Sequence, residues 1–348
     1  MHADMDAERP AARGPRAALR ATAFVLGTGA VSWAWSEVGF WAHFRADDQP
    51  ATWVLTWLMY SLAAAAALRT LRRWPGADLP RLVLVGSLYG WVVEGVVAST
   101  VYLAPPFTVI WTGVAWHGLV TVVLGWRLLP RAVLRGGRRA WAACAAVGLV
   151  WGLWSAGWWA APPDSEQWAA TPDIASYAAF VAVVTLVAVT GYAAMHACAP
   201  RGRDLTSRAG LAVVLVLLAA WGTLVVFVSI PWGPVLLALL AALVLASLRR
   251  LPSAPAATAP LGWDPGIPLR RAAPLALVPA AAVATYAALS PFAPSAPGDG
   301  PFYALILGII AALSVLGAVA LGWALWRVWR PARVEPATVS AGPAAGAR

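Results

Sequence analysis

The chain is a succession of apolar runs separated by short polar breaks. Most runs approach the roughly 20 residues that an α-helix needs to cross a hydrocarbon core about 30 Å thick. The apolar/polar alternation of outer-membrane barrel strands is absent. Hydropathy places ten spans at about 21–41, 51–68, 82–103, 107–126, 140–160, 174–198, 209–229, 233–248, 272–290 and 302–326, the eighth being the shortest. The first run reaches Trp33, Trp35 and Trp41 without a small-residue cleavage site, so it reads as an uncleaved span rather than a signal peptide. The pattern predicts an all-α integral membrane protein of about ten transmembrane helices. It permits a 5+5 organisation, although the two halves differ in composition and show no internal alignment.

The breaks divide the chain further. Residues 1–20 form an N-terminal tail, 21–160 hold a Trp-rich block of five spans, and 161–173 form an outer loop. Spans six to eight occupy 174–248, and a Pro/Ala-rich linker at 249–271 reads as a flexible connector over 253–268. The last two spans occupy 272–326, and the tail 327–348 has the composition of a disordered segment.

Charge orients these spans. Lysine is absent, so all 25 cationic side chains are arginine. The N-terminal tail holds Arg9, Arg13, Arg16 and Arg20. Arginines then fill every second break, beginning with Arg69, Arg72, Arg73 and Arg81, then Arg127 to Arg139, Arg201 to Arg208, and Arg249 to Arg271, and they return in the C-terminal tail. The remaining breaks contain one arginine, Arg45, among acids such as Asp47, Asp48, Asp164, Glu166 and Asp299. Arginine-rich loops stay on the cytoplasmic side during insertion, so both termini are expected there. The expected location is a bacterial plasma (inner) membrane.

Composition agrees. The chain is 61% hydrophobic and 11% charged, with a mean hydropathy of +0.70. A net charge of +10 in a soluble domain would suggest nucleic acid. Here the arginines flank spans, so no nucleic-acid partner is expected, and the expected partners are the bilayer and its anionic headgroups. Cys144 and Cys198 form no CxxC or zinc pattern, and no cofactor or metal motif is present.

Ionisable groups inside a span are costly and therefore mark candidate sites. Glu94 and His117 stand out. Glu94 lies 11 residues before Pro105 and His117 lies 11 after Pro106, so each sits about 17 Å from that turn along its helix. They share one depth near the midplane. Gly90 and Gly95 flank Glu94, while Gly113 and Gly118 flank His117, which favours close helix approach. Such a pair can relay a proton, balance a substrate charge, act as general acid and base, or simply lock a hairpin. Glu37, near the outer end of the first span, is a second acidic candidate. Trp33 and Trp41 lie four residues to either side of it. Trp33, Trp41, Trp91, Trp116, Tyr89 and Tyr102 are candidates for lining an aromatic cavity, a lining suited to an organic cation or a flat hydrophobic ligand. His43 and His196 read as solvated and interfacial. Three functions follow as expectations. The first is a permease for a small amphipathic or cationic molecule using the Glu94–His117 pair. The others are an intramembrane enzyme acting on a lipid or isoprenoid, and a non-catalytic subunit of a membrane complex.

Overall fold

The computed structural model describes residues 14–45, 48–76, 78–160, 173–199, 208–252, 265–294 and 300–330. All regular structure among them is helical. The helix α1 runs from Pro15–Trp33 through Ala34–Val38 to Gly39–Trp41. Nine further long helices follow: α2 (Pro50–Arg73), α3 (Leu79–Val97), α4 (Val109–Arg135), α5 (Gly137–Ala160), α6 (Ile174–Cys198), α7 (Ala209–Phe227), α8 (Gly233–Arg250), α9 (Ala273–Phe292) and α10 (Pro301–Trp329). Those nine are long and apolar enough to cross a membrane, and α1 is not among them. The shortfall has a physical reason. Thr28, Ser32 and Ser36 recur every fourth residue on α1, and all three are buried against neighbouring helices. The polar face of α1 therefore points into the protein, which lowers its hydropathy without exposing it to lipid.

Helix starts follow local chemistry. Pro50, Pro80, Pro234 and Pro301 stand in the first turns of α2, α3, α8 and α10, where a missing N–H costs nothing. Gln49 and Thr52 cap α2 reciprocally. Asp78 accepts from the Arg81 N–H at 3.0 Å and Asp173 from the Ser176 N–H at 3.0 Å, each satisfying a free helix donor. α1 begins at Pro15 and α10 ends at Trp329, so both outrun their predicted spans. The predicted loop 161–173 lies outside the described residues up to 172, as does the tail from 331 and the linker over 253–264. The end of that linker is anchored: Pro265, Gly266 and Ile267 are buried, and the Ile267 N–H donates to the Tyr192 carbonyl at 3.1 Å.

α3 and α4 form the centre. The apolar windows of these two helices are 83% and 72% buried, against 17% for α7 and 11% for α10. α1 packs on α2 and α6, α10 covers α3 and α4, and α9 lies along α5. α3 and α4 pack along their length, whereas α8 and α9, their counterparts in a 5+5 plan, do not. The α3–α4 contact depends on glycine. A Cβ on Gly86 would lie 2.8 Å from the Gly118 carbonyl oxygen, and one on Gly90 would collide with the Gly113 carbonyl. Such close backbone approach leaves no room for a side chain.

Gly90→Ala should therefore cost about 1–3 kcal/mol by overpacking. Gly308→Ala, whose added Cβ meets nothing within 4 Å, should be neutral or slightly stabilising. Denaturation of the two variants in detergent checks this, and equal stability of both would contradict the packing described.

Candidate functional site

Three departures from the α-helix, two short and one long, carry the ionisable candidates. Over Ala34–Val38, Val93–Val97 and Val109–Leu128 the backbone adopts the wider π-helix, with N–H groups reaching back five residues. The Gly39 N–H, for example, bonds the Ala34 carbonyl, and the Ala98 N–H bonds that of Val93 at 3.0 Å. Glu37, Glu94 and His117 each sit in one of these segments. π-turns interrupt the regular ladder and recur at functional sites.

Glu94 and His117 touch. His117 Nε2 and Glu94 Oε1 form a short hydrogen-bonded pair, with both residues buried. The other imidazole nitrogen, Nδ1, lies 2.9 Å from Ser36 Oγ, and Ser36 Oγ lies 2.6 Å from Thr121 Oγ1. One imidazole thus joins α3 to α1 across α4. Glu94 Oε2 is buried and has no hydrogen-bond partner among the described residues. A buried carboxylate oxygen without a donor is unusual, because the desolvation it suffers is uncompensated.

Glu37 belongs to the same neighbourhood. Its Oε1 accepts from Trp41 Nε1 at 3.1 Å and its Oε2 from the Tyr60 hydroxyl at 2.9 Å. The Tyr60 ring lies 6.1 Å from the His117 ring, and the Tyr89 ring lies 6.2 Å from it on another side. Both glutamates are therefore gathered around Tyr60 and His117 from four helices. Sequence reasoning singled out Glu37, Glu94 and His117 but not Ser36, Tyr60 or Thr121. The signal for Ser36 was available in the Thr28, Ser32, Ser36 spacing, a polar stripe at helical period in an apolar run.

The aromatic candidates have definite places. Trp91 Nε1 donates to the Val109 carbonyl, Trp116 Nε1 to the Ser36 carbonyl and the Tyr102 hydroxyl to the Gly95 carbonyl, each at 2.9 Å. Trp41 serves Glu37. Tyr89 is fully buried, with its hydroxyl beside those of Ser32 and Ser36. Trp33 packs edge-on to Trp53 at 5.3 Å and, with Trp53 and Trp57, lines a cavity of about 540 Å³ closed on its far side by Leu186 and Val187 of α6. A second cavity, of about 820 Å³, lies among α1, α2 and α7. Neither is lined by Glu37, Glu94 or His117. Arg45, the arginine outside the alternation, pairs with Asp48 at 3.1 Å. Among the described residues no group of three or more His, Cys, Asp or Glu side chains is placed to hold a metal ion.

Compared with known proteins, the chain matches no family model, no curated protein and no solved structure.

Removing one partner of a buried hydrogen-bonded carboxyl–imidazole pair leaves the other uncompensated, so His117→Ala should cost about 3 kcal/mol. Replacing both Glu94 and His117 by leucine should recover most of that loss, as hydrophobic replacement of buried pairs commonly does. Unfolding of the single and double variants in detergent measures it. A double variant no more stable than His117→Ala would mean that the two side chains are not energetically coupled.

Proposed function

We propose that this protein is a ten-span permease of a bacterial plasma membrane, with both termini cytoplasmic, and that a proton held by Glu94 and His117 sets its conformation. Its cargo is a small amphipathic or cationic molecule. The observation that carries this reading is the buried carboxylate–imidazole pair with one Glu94 oxygen unpartnered. Ionisable groups at membrane depth mark proton and ion pathways more often than they serve packing.

The chemistry runs through Ser36. With Nδ1 unprotonated, the imidazole accepts from the Ser36 hydroxyl. With Nδ1 protonated, it donates, and the Ser36 hydroxyl turns to Thr121. A proton arriving at the pair therefore redirects the hydrogen bond that holds α1 to α4. The pair acts on helix packing rather than by touching cargo, since the two large cavities lie elsewhere. Counting α1 as the tenth span draws support from its inward polar face, and the orientation draws support from the arginine alternation. The enclosure of the pair favours one other reading, a non-catalytic membrane subunit in which Glu94 and His117 lock α3 to α4.

Two measurements test the proposal. Protein in liposomes with an imposed proton gradient is expected to move lipophilic cations from a test panel in a pH-dependent manner, and Glu94→Gln to abolish that dependence. A Glu94→Gln protein with the parent's pH profile would overturn the proton role, and stable co-purification with one partner would move the reading to a subunit. Reporter fusions after Arg348 and within 161–173 are expected to report opposite sides of the membrane, cytoplasmic for the first. The reverse result would overturn the orientation alone.

A further inference from the structure

The cavity of about 820 Å³ is a groove whose walls are α1 and α7 and whose floor is α2. α7 packs on α2 and on the Val93–Val97 segment, and along the groove it stands away from α1. The lining is almost wholly apolar. At one end stand Ala18, Ala65 and Gly210, and at the other Leu55 and Leu224. Along α7, from residue 210 to 224, the groove is about 20 Å long, more than half of a hydrocarbon core of about 30 Å. That length suits an extended hydrocarbon chain better than a compact solute.

One end of the groove is charged. Arg69 follows Ala65 by one turn on the same face of α2, and helical Cα–Cβ bonds tilt toward the N-terminus, so Arg69 leans toward the mouth. It is half-buried and forms no hydrogen bond or ion pair with any residue. Among the described residues no carboxylate lines the groove. Arginine left without a partner beside an apolar groove is complementary to a phosphate joined to an acyl chain.

We infer that the groove between α1 and α7 binds one anionic phospholipid, its acyl chain along α2 and its phosphate on Arg69. Assigning this lipid to the cytoplasmic leaflet rests on the orientation proposed above, whereas the groove and Arg69 do not. The site is separate from Glu94 and His117, so a failed proton-coupling assay would leave it standing. The floor residue Met59 packs with Val96 and Leu218, so the bound chain would lie against the helix segment that carries Glu94.

The test uses the full chain in bilayers of equimolar phosphatidylglycerol and phosphatidylcholine, extracted in mild detergent and analysed for retained lipid by mass spectrometry. Phosphatidylglycerol should be retained over phosphatidylcholine. Arg69→Gln should lower that preference about five-fold, the effect of one arginine near a headgroup. Leu58→Trp, at a half-exposed position lining the groove, should displace the lipid while the melting temperature stays unchanged. Arg139→Gln, exposed and remote from the groove, should leave the preference intact. Equal retention of the two lipids, an unchanged preference in Arg69→Gln, or an equal loss in Arg139→Gln would each overturn the inference.

Discussion

Within a membrane, backbone carbonyls that leave the helical ladder must find donors inside the protein. The C-terminal end of α1 is where this requirement presses hardest, because a π-turn and a helix terminus fall within one short stretch. Indole N–H groups meet it. Trp151 donates to the Gly39 carbonyl at 3.1 Å, Trp154 and Trp158 to that of Phe40 at 2.6 and 3.0 Å, and Trp116 to that of Ser36 at 2.9 Å. Three of these donors lie on the last turns of α5, so this capping fixes α5 against α1. It also surrounds Phe40 with indole rings, Trp116 and Trp154 lying 5.1 and 5.5 Å away. Ser36 and Glu37 stand within the same clamped stretch. The position of the ionisable cluster is thus a consequence of how the end of α1 is capped.

That dependence explains what could be read from residues alone. That Glu94 and His117 share one level of the α3–α4 hairpin was legible because it requires only counting from the Pro105–Pro106 turn, and their contact was foreshadowed by the flanking glycines. Gly90 and Gly118 do serve the α3–α4 approach, but Gly95 faces Leu237 and Tyr102 instead. The concentration of tryptophan in the first five spans was equally visible. Its use was not, because a donor to a backbone carbonyl leaves no trace in hydropathy. Membrane belts and cavity walls use the same residue. The π-segments were invisible too, since they change which residues share a face without changing composition. Trp41 reaches Glu37 across the turn as a four-residue spacing suggests, whereas Trp33, equally spaced on the other side, turns to Trp53. Tyr60 and Thr121 joined the cluster through tertiary packing alone, and no spacing in the chain announced them.

The two glutamates now differ in a way their positions did not suggest. Both oxygens of Glu37 are occupied by fixed donors, Trp41 and Tyr60. Glu94 has one oxygen on His117 and one with none. A carboxylate whose acceptors are all filled by rigid side chains serves as an anchor, and here it ties α1 to α2 through Tyr60. A carboxylate with an open oxygen beside an imidazole has the capacity to take or pass a proton without first breaking an existing bond. His117 extends that capacity to Ser36 and so to α1, whose C-terminal end the indoles of Trp151, Trp154 and Trp158 hold in place. Any change in the pair must therefore be absorbed on the N-terminal side of that clamp, where Gly27 and Gly29 let α1 approach α6 and α2 closely. The clamp would act as the fixed end and the glycine contacts as the place where α1 can shift.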